Sequence, residues 1–122
     1  MTTTASARQA LGAYGERVAE RHLVAQGMVL LDRNWRCDAG ELDLVLREGP
    51  TLVVCEVKTR SGTTHGSPLE GVTAEKAQRL RRLAARWVEA HAVHPPEIRI
   101  DLVGVLRPRS GPATVDHVRG IG

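Results

Sequence analysis

Aromatic residues are almost missing from this chain: there is no Phe, one Tyr (Tyr14) and two Trp (Trp35 and Trp87) among 122 residues. Its core must therefore be aliphatic, assembled from Leu, Val, Ile and Ala. Cysteine is also scarce. Cys37 and Cys55 form no C-x-x-C pair, so a disulfide framework is not indicated, and the cytoplasm is the compartment this composition suits. No apolar run reaches membrane-spanning length. Met1 to Ala7 lack the basic start and apolar stretch of a signal peptide and read as a frayed terminus. Internal repeats are absent as well.

What remains is an ordinary globular composition, with 42% hydrophobic and 25% charged residues. The length suits one domain with one core, spanning residues 1–122, with 1–7 and 119–122 frayed. A net charge of +3 and a pI near 9.4 permit a nucleic-acid partner without demanding one.

Periodicity divides the chain. From Ala7 to Gln26 the pattern is helical, with Leu11, Tyr14, Val18 and His22 on one stripe and Gly15, Ala19 and Leu23 beside it. Gly27 is the expected stop. Glu16 and Glu20 flank the stripe one turn apart, and Glu20 reads as a solvated helix edge. Val29 to Leu31 form a short strand. Arg33, Asn34, Trp35 and Arg36 then combine guanidiniums with an aromatic, a mixture able to hold phosphate, although a surface strand end is the commoner meaning. After a turn at Cys37 to Gly40 come two apolar runs, Gly40 to Leu46 and Thr51 to Lys58, with Arg47-Glu48-Gly49-Pro50 between them and the turn at Gly49-Pro50.

Thr59 to Val72 is a polar loop, expected to be poorly ordered without substrate. His65 within it is a candidate ligand or base, though a single loop histidine is usually neither. Thr73 caps a second helix, with Glu75 in its first turn and Leu80, Leu83, Ala84, Trp87, Val88 and His91 as its buried stripe. Lys76, Arg79, Arg81, Arg82 and Arg86 make it the most basic element, suited either to phosphate contact or simply to solvent. His94, Pro95 and Pro96 end it. Glu97 to Leu106 alternates as a strand, with Ile98, Ile100 and Leu102 on one face and Arg99, Asp101, Val103 and Val105 on the other. Ala113 to Val118 suggests an edge strand, and the Gly120-Ile121-Gly122 end reads as loose. The order predicts an α/β domain around a mixed sheet of about four or five strands flanked by two main helices.

Four charges interrupt the apolar runs of the hairpin: Glu41, Asp43, Glu56 and Lys58. Charge in a central strand is costly unless paired or coordinated. If the runs pair about Gly49 and Pro50, opposed residue numbers sum to 99. Asp43 then faces Glu56, Glu41 faces Lys58, and all four gather on one face. A slip by one residue would split them. Two adjacent carboxylates repel unless a cation or a proton lies between them. An acid followed by Glu-x-Lys on the next strand has the form of a PD-(D/E)xK nuclease site. Asp43 and Glu56 would bind Mg²⁺ or Mn²⁺, and Lys58 would assist the attacking water. The plain alternative is a salt-bridged strand end.

These residues carry a resemblance. Gly15-Glu16, Asn34, Arg36, Gly40 to Leu44, Glu56 to Arg60, Gly66, Pro68, Lys76, Arg79-Leu80 and Asp101 together resemble the YraN family of small, largely uncharacterised bacterial proteins, from about Leu11 to Val105. The resemblance implies a restriction-endonuclease-like three-layer fold, similar to archaeal Holliday-junction resolvases. It implies an Mg²⁺- or Mn²⁺-dependent endonuclease acting on DNA, on branched or damaged structures, and admits a homodimer. It places metal acids at Asp43 and Glu56, a first-helix acid at Glu16 to support the metal, and the lysine at Lys58; from the hairpin pairing, Glu41 is expected to position Lys58. Arg36, Arg60, Lys76, Arg79, Arg82 and Arg86 are the candidate DNA contacts. Cys55 stands where that family more often has an aliphatic residue, a matter of core packing, and the His117 to Gly122 ending departs from its pattern. Rival readings are a nucleic-acid-binding protein whose acids are vestigial or structural, and an interaction protein docking through its strand edge or basic helix.

Overall fold

The computed structural model describes residues 4–62 and 69–122. Its elements are α1 (Ala5–Ala25), β1 (Val29–Cys37), β2 (Gly40–Glu48), β3 (Thr51–Ser61), α2 (Ala74–His91), β4 (Glu97–Arg107) and β5 (Thr114–Val118). The five strands form one sheet in chain order. β1, β2 and β3 are an antiparallel meander. The α2 crossover then brings β4 parallel to β3 over eleven residue pairs, Thr51 with Glu97 through Ser61 with Arg107. β5 closes the far edge antiparallel to β4. The expected mixed sheet between two helices is thus the observed three-layer arrangement.

Helix ends follow local chemistry. Thr4 caps α1 by accepting from Ala7 N, so the helix begins at Ala5, two residues before the periodicity starts it. At the other end Met28 N bonds Leu23 O and Gly27 N bonds Val24 O, with Gly27 at φ +102°. That left-handed turn closes the helix and folds Met28 back onto Leu23 in the core. Thr73 caps α2 through Lys76 N, as its sequence predicts. α2 ends at His91, capped by Ala92 in the left-handed conformation (φ +52°), ahead of the proline pair.

Each face of the sheet has its own aliphatic core. Under α1 lie Ala19, Leu23, Met28, Leu44, Leu46, Val53, Cys55, Val103 and Val105. Under α2 lie Leu42, Val45, Leu52, Val54, Leu80, Leu83, Ala84, Trp87 and Ile100. The buried line of α1 runs through Gly15, Ala19 and Leu23, one step around from the stripe of larger residues. Tyr14 and Val18 are only partly covered.

Gly15 explains that rotation. A Cβ there would lie 1.8 Å from Thr59 Oγ1 and 2.8 Å from Thr59 Cβ, so α1 can approach β3 this closely only without a side chain. Turning the Thr59 hydroxyl away leaves its Cβ in the path. Gly15→Ala should therefore destabilise the fold by about 1–3 kcal/mol, despite the better helix propensity of Ala. Urea midpoints would register it, and Thr59→Gly in the same chain should recover part of the loss. An unchanged midpoint for Gly15→Ala would refute the tight contact.

The C-terminal residues, expected to be loose, are tied down. Arg119 bonds Glu48 at 2.6 Å and Gln26 at 3.2 Å. Gly120 N reaches Asp101 Oδ1, Ile121 N reaches Ile100 O, and Arg81 donates to Gly122 O. Ile121 packs on the α2-side core. The anchor is Asp101, which is wholly buried. It accepts from Arg99 Nε and Nη2 at 2.8 and 3.0 Å and pairs with His117 Nε2 at 2.8 Å. Burial alone would raise its pKa. The hydrogen bonds from Arg99, His117 and Gly120 N, with the Arg99 charge, bring it instead below the usual carboxylate value.

Candidate active site

The hairpin register is the one that the turn position dictates: Leu44 faces Cys55, and Glu48 faces Thr51. The ladder stops there, one pair short of the acids. Instead of Asp43 and Glu56 standing as a backbone-bonded pair, Asp43 Oδ2 accepts from Val57 N at 2.9 Å. A side chain thus takes the N–H that a continued ladder would have used. β1 is also irregular near this point. It carries a bulge between Leu30 and Asp32, and Asn34 has φ +50°. The Asn34 amide donates to Glu16 Oε1 at 3.2 Å, bringing the first-helix acid to the same end of the sheet.

Four acids share one electrostatic environment. Asp43 is pushed up to about 7, first by burial and then by the charges of Glu56, Glu16 and Glu41, with the Val57 N–H pulling the other way. Glu16 is raised by burial and by Glu41. Glu20 behaves differently. Arg33 grips it with Nε at 2.8 Å and Nη2 at 3.2 Å, and its pKa is lowered by that bond. Of the two α1 acids, Glu16 belongs to the cluster and Glu20 to the surface.

Cations surround the acids, though not as the hairpin arithmetic arranged them. Glu41 pairs with Arg36, its register partner on β1, at 3.4 Å. Lys58 Nζ instead donates to the Glu70 carbonyl. The sequence expects Glu41 to position Lys58; here Glu41 takes its ion pair from Arg36 on the neighbouring strand, while Lys58 rests on the Glu70 carbonyl. Lys76 Nζ stands 2.9 Å from Glu56 Oε2. That oxygen is buried and accepts no hydrogen bond, so the pair is a charge contact without hydrogen-bond alignment. Lys76 was expected only as a phosphate contact, and its partnership with Glu56 was not foreseen. The signal available was its place in the first turn of a helix, where the dipole disfavours a cation.

Along α2, Arg79, Arg82 and Arg86 line a cavity of about 340 Å³ together with Ala39 and Leu83. Arg86 is also bonded to Asp38. Arg60 follows Lys58 along β3, with Leu106 beside it on β4. The reading of His65 and of the loop around it, with Gly66 and Pro68, falls within 63–68 and lies outside the described residues. Cys55 is buried in the α1-side core, its thiol pushed well up by burial and by Asp101, Asp43 and Glu56. It is a packing residue rather than a nucleophile.

Among the described residues, no three carboxylate, imidazole or thiolate groups converge to hold a metal ion by themselves. The donors on offer are two carboxylates, Asp43 and Glu56, one with a buried oxygen that accepts no hydrogen bond. That set fits Mg²⁺ or Mn²⁺, which commonly take one or two carboxylates and complete their shell with water and substrate phosphate. It does not fit a closed structural site.

A three-layer α/β domain with an acidic cluster where its central strands part, edged by a basic helix, is the class defined here. The model of the family described as "Uncharacterised protein family UPF0102" matches residues 15–105, and the chain belongs to that family. A UPF0102 protein of a Nocardioides species is 66% identical over 124 residues, covering 100% of both chains. One from Beutenbergia cavernae is 60% identical over 116 residues, covering 95% of this chain and 98% of its own. One from Streptomyces coelicolor is 54% identical over 118 residues, covering 95% and 91%.

Proposed function

We propose that this protein is a metal-dependent nuclease hydrolysing phosphodiester bonds in DNA. The observation that carries the reading is the half-buried pair Asp43 and Glu56, in which Asp43 is raised to about 7 by burial and by neighbouring acids. An arrangement that unfavourable without a cation is characteristic of functional carboxylates. When bound, Mg²⁺ or Mn²⁺ supplies Lewis acidity at the scissile phosphate. Asp43 and Glu56 hold that ion, and Glu16, oriented by Asn34, adds negative charge from the α1 side. Val57 N fixes the direction of Asp43. Lys58, steadied on the Glu70 carbonyl, orients the attacking water and offsets charge growing on the phosphate. Arg36 and Arg60, with Lys76, Arg79, Arg82 and Arg86 on α2, are assigned to the phosphates flanking the cut. A homodimer would present two such sites to a branched substrate.

The test is a cleavage panel of labelled duplex, single-stranded, flap and four-way-junction DNA with Mg²⁺ or Mn²⁺. Lys58→Ala and Asp43→Ala, purified identically, run beside the wild type. Cleavage by the wild type alone is the expected result, and the preferred DNA names the substrate. Equal cleavage by all three would assign the activity to a contaminant and sink the reading.

A second reading has its own support. The arginine-lined cavity on α2 suits a polyanion by its charge, whether or not the acids are catalytic. In that case DNA binding weakens steeply with salt and depends on Arg79, Arg82 and Arg86, with no requirement for a divalent ion. Among the described residues, no helix is long and apolar enough to cross a membrane.

A further inference from the structure

Two sheet carboxylates with basic partners, the buried Asp101 and the partly buried Glu56, are built differently. Asp101 is locked. Both its oxygens take hydrogen bonds from Arg99, and His117 and a backbone N–H complete its shell. Glu56 is held by proximity alone: Lys76 Nζ approaches Oε2 to 2.9 Å, yet that oxygen accepts no hydrogen bond. Lys76 keeps 40% of its side chain exposed, whereas Glu56 keeps 18%. One partner is thus anchored in the sheet and the other sits on a long flexible stem open to solvent. Lys76 is also at the wrong end of its helix, in the first turn of α2, where the macrodipole favours an acid. Neither hydrogen bonding nor helix electrostatics accounts for a lysine there. The need for a positive charge beside Glu56 does.

We infer that Lys76 is an exchangeable counter-ion: it occupies the cation position beside Glu56 in the metal-free protein, gives it up to a divalent ion, and is thereby released to a DNA phosphate. This rests on the metal-site reading above. The ammonium keeps Glu56 from standing unpaired while the site waits, and competes with the incoming ion. Once displaced, it lies one helical turn from Arg79 and extends the phosphate-binding row on α2 toward the site. Divalent ion and DNA then strengthen each other's binding, because each favours the same displaced state of Lys76, and the coupling is reciprocal.

Calorimetric titration of MnCl₂ into the metal-free wild type, Lys76→Met and Glu56→Gln tests this, with a circular dichroism check on each. Lys76→Met removes the competitor and should bind Mn²⁺ about five- to tenfold more tightly than wild type. Lys76→Gln, as a second variant, should move the same way, and Glu56→Gln should lose the binding. Anisotropy of a labelled DNA, in Ca²⁺ and in chelator, gives the second readout. The cation should raise wild-type affinity for DNA by a larger factor than it raises that of Lys76→Met. Equal or weaker Mn²⁺ binding in both Lys76 variants would overturn the counter-ion role and leave the metal site standing. No Mn²⁺ binding by the wild type or by either Lys76 variant would overturn the metal site and the counter-ion role together.

Discussion

Asp101→Asn should destabilise the protein by about 3–5 kcal/mol, the range for removing one partner of a buried ion pair. The substitution changes little in shape. It replaces an acceptor oxygen with an NH₂ that faces donors in either orientation, Arg99 Nε and Gly120 N on one side or Arg99 Nη2 and His117 on the other, and takes the charge away from Arg99. Arg99 would keep Glu48 at 2.9 Å, and the clamp on Gly120 N would weaken with the rest. Urea unfolding at neutral pH should show a lower midpoint at unchanged slope. The pH dependence has a definite sign. The folded-state pKa of Asp101 lies below its ordinary 3.8. Its stabilisation is therefore present above that value and is lost as pH falls through the folded-state value. The gap between wild type and Asp101→Asn should close in that acid range. A wild-type midpoint for the variant at pH 7 would show that the network contributes nothing.

The second large effect runs the other way. Asp43→Asn should be more stable than wild type at pH 8 in the absence of divalent ions. Asp43 has an ordinary value of 3.8 in the unfolded chain and about 7 in the folded one. Between those values the folded protein holds a proton that the unfolded chain has released, so wild-type stability falls as pH rises and levels off above 7. A shift of that size corresponds to at most about 4 kcal/mol. Asn keeps an oxygen for Val57 N and has no charge to bury, so its stability should be flat across the same window. The two proteins should converge near pH 4. Saturating Mn²⁺ should stabilise the wild type but not the variant. Urea midpoints at pH 4, 6 and 8, with and without Mn²⁺, check both halves. An Asn variant that is less stable at pH 8 would mean that the Asp43 charge is already compensated within the chain.

Much of the fold was legible because each signal was local. The Gly49-Pro50 turn set a register that holds from Glu48–Thr51 to Leu44–Cys55. Thr73 announced α2, and the alternation of β4 assigned Ile100 and Val103 to opposite cores correctly. The site was less legible, because its details depend on contacts between elements. The register rule could not foresee a carboxylate taking the Val57 N–H, and so carried the ladder three pairs too far, from Leu44–Cys55 on to Glu41–Lys58. Pairing Glu41 with Lys58 considered only the β2–β3 hairpin. β1 proved to be nine residues long and brought Arg36 to Glu41 instead. The pinned tail was invisible for the same reason: Asp101, Ile100 and Arg81 are near Gly120 to Gly122 only after folding. Asp101 itself read as one more polar residue on an alternating strand.

The scarcity of aromatics has an optical consequence. Trp87 is in the core beneath α2, its indole N–H bonded to Asp32, and Trp35 packs against that same cluster. The α1-side core contains no tryptophan, and its partly buried ring is Tyr14, beneath the Arg107 guanidinium. Intrinsic tryptophan fluorescence is therefore a one-sided gauge: it follows the packing of α2 and is nearly blind to the layer that carries Glu16 and Gly15. A fluorescence melt that coincides with far-UV circular dichroism would report both layers dissolving together. A melt that leads or lags it would report one layer letting go of the sheet before the other.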